Sequence, residues 1–355
     1  MIGIDGAHGE SGGQILRTTL ALSALLQKEI EIKDIRKGRE KPGLRPQHLA
    51  AVKTMANVCN ARISGLFENS TALTFNPTKI QSAQLNINIS TAGSAALLLQ
   101  QLFPVALLEE FTFRIVAGTD VPFSPSLNYL NAVFCPIIKK LGANFSLEQM
   151  AHGYYPIGNG RVVFSSKKAK LPLKPINISK LGNLECFKLF SHSSGLPMEV
   201  VDNQLCAAKN ILSKNFEGID IFDKIDFSSR KDTIGSGIDI FACFSSGAVL
   251  GTNSLGKKGI PATNVGNEAA EKIVSELKAE KPCDSHLADQ LIIYMALAKG
   301  ISKIECTKLT NHALTNIWVI EQFLPVKFQV TGNLNEAAEI SVEGIGFTLQ
   351  DNPSL

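Results

Sequence analysis

The feature that most limits how this chain folds is a recurrence. A short apolar strand, Ile2-Gly3-Ile4, leads through a glycine-rich opening, Asp5 to Gln14, into a helix reaching about Leu26. An alternating strand follows from Ile30 to Ile35, then a helix with Leu49, Val52, Met55, Ala56 and Cys59 at helical spacing. Two strand-like segments, 61–66 and 71–75, close the unit. The same order returns with Ile87-Asn88-Ile89, a small-residue opening from Ser90 to Ser94 and a helix towards Ala106. A strand over 111–116, a helix through Tyr129, Val133, Ile137 and Leu141, and strands at 143–147 and 162–164 complete it. A third copy starts near His286, with a helix through Leu291, Ile292 and Met295, a strand over 301–306, a helix after Thr310 and strands at 326–330 and 339–342. One such unit cannot cover its own apolar face, so the copies must share a core. The expectation is an α/β fold of helix and sheet layers. Three repeated units form a large domain over 1–177 and 279–355, and a small α/β domain is inserted over 178–278. The insert shows strands near 187–190 and 238–244, helices near 202–216 and 267–278, and a polar loop from Asp226 to Asp232.

Composition narrows the class. With 355 residues, 45% of them hydrophobic, a large core is available. A net charge of +3 excludes a polycation that grips nucleic acid through its whole field, so any such contact is local. The seven cysteines are scattered without a CxxC, which points to free thiols in a reducing cytoplasm and against a spaced zinc motif. The apolar run from Ala95 to Leu108 is too short for a membrane span and contains Pro104. The N-terminus shows no signal-type pattern, so the expectation is a soluble cytoplasmic protein.

Three stretches carry chemistry. Gly6, Gly9, Gly12 and Gly13 open the first helix and let a ligand approach the backbone, with Arg17 one turn further on. This is neither a GxGxxG fingerprint nor a Walker A loop, and Glu10 within it fits a divalent-metal ligand and a helix first-turn charge equally. Next, Arg36, Lys37, Arg39, Lys41 and Arg45 crowd a loop stiffened by Pro42-Gly43, which fits phosphate binding or a solvated charge run. Finally, Thr310-Asn311-His312 opens a helix that Pro325 stops. A helix N-terminus suits a phosphate, and a neutral histidine there presents a ring nitrogen to phosphorus. A histidine that merely caps the helix fits the same local sequence.

Taken together, these segments resemble the RNA 3′-terminal phosphate cyclase family. The matching residues are Asp5-Gly6-Ala7, Gly9-Glu10, Gly12 to Arg17, Ile35-Arg36, Gly38-Arg39, Lys41 to Leu44 and Gln47-His48-Leu49. They continue with Ala92-Gly93-Ser94 and Gln100, Gly118-Thr119-Asp120, Leu287 to Gln290, and His312 with Leu314-Thr315-Asn316. The matches run in order along nearly the whole chain.

The resemblance implies an ATP-dependent conversion of an RNA 3′-phosphate end to a 2′,3′-cyclic phosphodiester. His312 matches the nucleophile that takes AMP. Gln100, Pro125 and His286-Leu287-Ala288-Asp289-Gln290 match ATP-binding positions, and Arg17, Arg36, Arg39 and Gln47 match positions near the triphosphate or the RNA terminal phosphate. Glu10 matches a metal-associated carboxylate for Mg²⁺ or Mn²⁺. Ser11 stands where many relatives carry glycine, Asn159 interrupts a frequent triple glycine, and His286 replaces a tyrosine of some relatives. The competing expectations are a non-catalytic cyclase-like protein of ribosome assembly, which would lack the histidine, and a transferase of the enolpyruvyl kind on a related architecture.

Overall fold

A computed structural model describes residues 1–348; residues 349–355, counted above with the main domain, lie outside the described residues. The first repeat comprises β1 (Ile2–Asp5), α1 (Gly13–Leu26), β2 (Ile30–Lys33), α2 (Pro46–Cys59), β3 (Arg62–Ser64) and β4 (Leu73–Asn76). Its sheet runs β1-β2-β4-β3, with β1 and β2 parallel and the rest antiparallel. The second repeat has β5 (Ala83–Asn88), α3 (Ala95–Leu102) and β6 (Phe111–Ala117). A helix opening as α4 (Leu127–Tyr129), with a π turn before α5 (Cys135–Leu141), leads to β7 (Asn144–Ala151) and β8 (Gly160–Lys167). The order β5-β6-β8-β7 repeats the first sheet. α3 stops at Leu102, short of the expected Ala106, because Pro104 ends the α pattern and a 3-10 turn takes over.

The third repeat begins with a strand that sequence reading missed. β9 (Asn177–Ile178) pairs with a partner lying far downstream. Between them come β10 (Leu184–Ser194), α6 (Glu199–Asn215), β11 (Asp220–Ser228), β12 (Gly235–Phe244), β13 (Val249–Leu255) and α7 (Ala262–Leu277). The chain then resumes with α8 (Ser285–Leu297), β14 (Lys299–Cys306), α9 (Asn311–Phe323), β15 (Gln329–Thr331) and β16 (Ala338–Ile345). The sheet β15-β16-β14-β9 has the order of the other two repeats read from its other edge. The stretch expected as a loop from Asp226 starts inside β11, an edge strand whose charged residues disguise it.

Two cores hold these elements. One unites all three repeats: α1 packs on α2, α3 and α9, and α8 packs on α9. In the second repeat Phe103 stacks with Phe134 and Phe145, and Phe164 meets Phe113. Each such ring contributes on the order of 2 kcal/mol by burial. β6 alternates as its position requires, with Phe111, Phe113, Ile115 and Ala117 inward. The other core belongs to 184–277, where Phe187, Leu189, Ile238 and Ile240 of the sheet meet Leu205 and Ala208 of α6 and Ala269 and Ile273 of α7. Among the described residues, no helix is long and apolar enough to cross a membrane.

Candidate active site

The helices that meet at the centre leave a cavity of about 430 Å³. Its walls come from α1 (Gln14, Arg17, Thr18), α3 (Gln100), the 123–126 loop, α8 (His286, Asp289, Gln290) and the start of α9. The insert closes another side with Gly251, Thr252 and Asn253 of β13.

His312 sits in the first turn of α9. The cap is Thr310, whose Oγ1 accepts from the Ala313 N–H at 3.1 Å. His312 Nδ1 lies 2.6 Å from Glu10 Oε2. In that contact Nδ1–H donates to the carboxylate, which leaves Nε2 with a free lone pair. Burial lowers the proton affinity of His312; Glu10 opposes this, while Arg17 and Arg39 reinforce it. The ring is therefore neutral at physiological pH. Gln14 Nε2 donates to the His312 carbonyl at 3.0 Å, and Thr18 Oγ1 donates to Asn316 Oδ1 at 2.7 Å. These bonds lock α9 to α1, and Asn316 Nδ2 donates to the Asp289 carbonyl at 3.0 Å, which ties α9 to α8.

The glycine loop is shaped by close approach. A Cβ on Gly9 would lie 2.6 Å from Thr315 Oγ1, and one on Gly13 would lie 2.6 Å from His48 Nε2. Glycine at both places lets the loop lie against α9 and against the first turn of α2. Ser11 takes φ +50, a conformation glycine adopts more readily, and uses its hydroxyl in return. Its Oγ accepts from the Gly38 N–H at 2.9 Å and donates to the Gly6 carbonyl at 3.3 Å, joining the two loops. Asn159 likewise takes φ +61, which asparagine tolerates.

The basic loop behaves in two ways. Arg36 Nη1 donates to the Lys41 and Gly43 carbonyls at 2.7 and 3.1 Å, so part of its fork holds its own loop. Arg39 Nη2 reaches Glu10 Oε2 at 3.9 Å, at the rim beside His312. Gln47 lies at the start of α2 with its Cβ against Gly93, outside the cavity wall. His48, a family-matching residue given no role from the sequence, is buried, and burial together with Arg36, Arg17 and Arg45 lowers its pKa to about 3. Its Nδ1 accepts from the Arg45 N–H at 3.0 Å, so its Nε2 carries the proton beside Gly13.

The structure thus brings His312, Arg17, Gln100, Pro125, His286, Asp289 and Gln290 to one cavity, with Glu10 and Arg39 at its rim. Leu287 and Ala288 point elsewhere: at 1% and 0% exposure they pack in the shared core and anchor α8. Asp289 is pushed up to about 7 by burial, against the pull of His286 and Arg17. Tyr129 and Asp284 are additions from the structure. Tyr129 Oη donates to Asp284 Oδ1 at 2.6 Å, and its ring meets His286 edge-on at 6.3 Å. Asp284 caps α8 by accepting from the His286 and Leu287 N–H groups, and its Oδ2 accepts from Gly251 N at 3.0 Å. One buried carboxylate so joins α8, the second repeat and the insert. The capping pattern of Asp284 ahead of His286 was the available sequence signal; nothing local marked Tyr129.

An unprotonated imidazole nitrogen at a helix N-terminus, flanked by arginines, is equipped to attack phosphorus. The comparisons agree in class. The model of the RNA 3′-terminal phosphate cyclase family matches residues 8–330. An RNA 3′-terminal phosphate cyclase of Pyrobaculum aerophilum is 41% identical, covering 97% of this chain and 98% of its own length. Those of Hyperthermus butylicus and Methanosarcina barkeri are each 41% identical. They cover 97% and 93% of this chain, and 98% and 96% of their own lengths. The chain belongs to the RNA 3′-terminal phosphate cyclase family.

Proposed function

We propose that this protein is an ATP-dependent RNA 3′-terminal phosphate cyclase working through a histidine–AMP intermediate. The observation that carries the reading is His312, whose Nδ1 is occupied by Glu10 at 2.6 Å beside a cavity of nucleotide size. His312 Nε2 attacks the α-phosphorus of ATP and pyrophosphate departs. The RNA 3′-phosphate then attacks the adenylate, displacing the histidine and giving an RNA–phosphoanhydride–adenosine end. The neighbouring 2′-OH attacks that phosphate, closes the 2′,3′-cyclic ester and expels AMP. Both groups of the last step sit on one ribose, so proximity supplies much of the rate.

In this reading Gln100, Pro125, His286, Asp289 and Gln290 hold the adenosine, with His286 as a stacking ring. Leu287 and Ala288 set the position of α8 from the core. Arg17 and Arg39 face the triphosphate, and Arg36 and Gln47 serve the RNA terminal phosphate. The division into a main body, 1–177 with 279–355, and an insert, 178–278, makes the β13 segment a wall contributed by the insert. Glu10 also suits a divalent cation, Mg²⁺ or Mn²⁺. Its contacts to His312 and Arg39 both use Oε2, which leaves Oε1, and such ions bind through one carboxylate plus substrate phosphates. The cation would supply charge compensation at phosphorus and on departing pyrophosphate.

The test is incubation with ATP radiolabelled in its α-phosphate and Mg²⁺ or Mn²⁺, without RNA. The expected result is label on the denatured protein that is acid-labile, alkali-stable and absent from His312→Ala. A folded wild-type protein that takes no label with either metal would overturn the covalent reading and favour a non-catalytic RNA-binding role.

A further inference from the structure

Phe123 lines the wall of the cavity and is nonetheless fully exposed. A phenyl ring left in water forgoes the burial that the other rings of this fold gain. Its φ of +62 lies in the left-handed region, which a bulky side chain rarely enters. Strain of this kind persists only where the surroundings impose it, and it gathers at ligand-binding sites.

Here the surroundings do impose it. On one side Val121 is buried, and a Cβ on Gly118 would come within 2.5 Å of its Cγ1. On the other side the Ser124 hydroxyl shares a hydrogen bond with the hydroxyl of Ser94, which caps α3 by accepting from the Leu97 N–H at 3.1 Å. Ser126 Oγ accepts from the Tyr129 N–H at 3.0 Å and donates to Asp239 Oδ1 at 2.6 Å, at the seam between the second repeat and the insert. The loop is thus clamped on both sides of a ring that stands in solvent. A ring held in this way loses little freedom when a flat ligand stacks on it.

Position narrows the ligand. Ser94 begins α3, and at its neighbour Gly93 a Cβ would lie 2.8 Å from Gln47 Cβ at the start of α2. Gly13, at the start of α1, approaches His48 of α2 as closely. The starts of three helices therefore gather at this end of the cavity, with Arg36 and Arg39 in the loop before α2. Helix N-termini and arginines suit a phosphate, and an exposed aromatic face suits a base. A nucleotide whose 3′-phosphate meets those groups extends its base from the same ribose.

We propose that Phe123 is the stacking platform for the 3′-terminal nucleobase of the RNA. This rests on the reading of the cavity given above and assigns the ring to the second substrate, not to ATP, whose adenine belongs with Pro125 and His286. Every base has a π face, so the platform accepts any of the four and adds affinity without choosing sequence. Holding the base also fixes the ribose, and with it the 3′-phosphate that attacks the adenylate.

The test is a binding cycle on full-length protein without ATP, read by the fluorescence anisotropy of a short single-stranded RNA that carries a dye at its 5′ end and a phosphate at its 3′ end. A second RNA lacks only the 3′-terminal base. Removing the base should weaken binding to the wild-type protein about 10-fold. Phe123→Ala should bind the intact RNA about 10-fold more weakly and lose nothing further when the base is removed, and Phe123→Trp should restore the difference. The side chain packs on no core, so both variants are expected to fold. Equal loss on base removal in wild type and Phe123→Ala overturns the proposal, as does wild-type protein that binds both RNAs alike or neither. A rise in half-saturating ATP for self-adenylation as large as the rise for RNA would seat adenine on the ring and overturn it as well. The anisotropy cycle needs no catalysis, so it decides the platform even if the protein takes no label from ATP, a result that would instead sink the histidine–AMP reading.

Discussion

Two histidines in this protein meet a carboxylate at the same distance and differ in charge. His312 Nδ1 lies 2.6 Å from Glu10, and His152 Nδ1 lies 2.6 Å from Asp120. At His312 burial lowers the proton affinity; Glu10 opposes it, but Arg17, Arg39 and His286 add to the lowering. At His152 burial acts in the same direction and is overcome by Asp120 and Asp226, so the imidazole is pushed up to about 10. The contact distance is shared; the second ring of charges is not. Burial and a cationic surround keep His312 neutral and nucleophilic, while an anionic surround makes His152 itself the cation that the buried carboxylates require.

The comparison breaks most sharply at the nucleophile. His312→Ala should remove adenylation by about 10⁴-fold or more. Its side chain is 46% exposed, so the unfolding free energy should change by less than about 0.5 kcal/mol. A labelled-ATP assay beside a denaturant titration checks both. Asp120→Asn is the opposite case. Removing the carboxylate that faces both buried histidines, His152 and His192, should destabilise the fold by about 3–5 kcal/mol, as breaking a buried pair does. A loss below about 1 kcal/mol would mean that the seam tolerates an unpaired imidazole and that the contrast with His312 is overdrawn.

What the sequence disclosed follows the same divide between local and distant. The α/β repeats were legible because hydrophobic spacing is a local signal. The α9 start was legible because a cap and a proline bracket it. The cavity residues Gln100, His286, Asp289 and His312 came from ordered motif matches along the chain. Leu287 and Ala288 show the limit of that route: a contiguous motif on a helix turns about 100° per residue, so its middle faces the core. β9 was missed because its partner β14 lies beyond the insert, and two residues carry no periodicity. The Asp120, His152 and His192 group was invisible for a similar reason. Its members come from two loops and a strand far apart in sequence, with no spacing to betray them.

Glu10→Gln gives an intermediate effect. The amide still reaches His312 Nδ1, but it carries no charge to stabilise an imidazole that becomes cationic on bonding to phosphorus. Adenylation should fall about 100-fold. A fall below about 5-fold would show that the helix N-terminus and Thr310 cap alone orient the ring.

The smallest expected effect tests the charge argument most directly. Arg39 lowers the proton affinity of His312, so Arg39→Met should raise it. His312 must be neutral to react, hence adenylation is lost as pH falls through its folded value, which lies below the ordinary 6.5. In Arg39→Met that acid limb should move to higher pH, by less than about one unit because the site is half-exposed and screened. The alkaline plateau should fall by a separate factor, reflecting the lost contact with the triphosphate. The pH profile of single-turnover adenylation separates the two. An acid limb that stays fixed while the plateau falls would make Arg39 a substrate contact only. The neutrality of His312 would then rest on burial and Arg17.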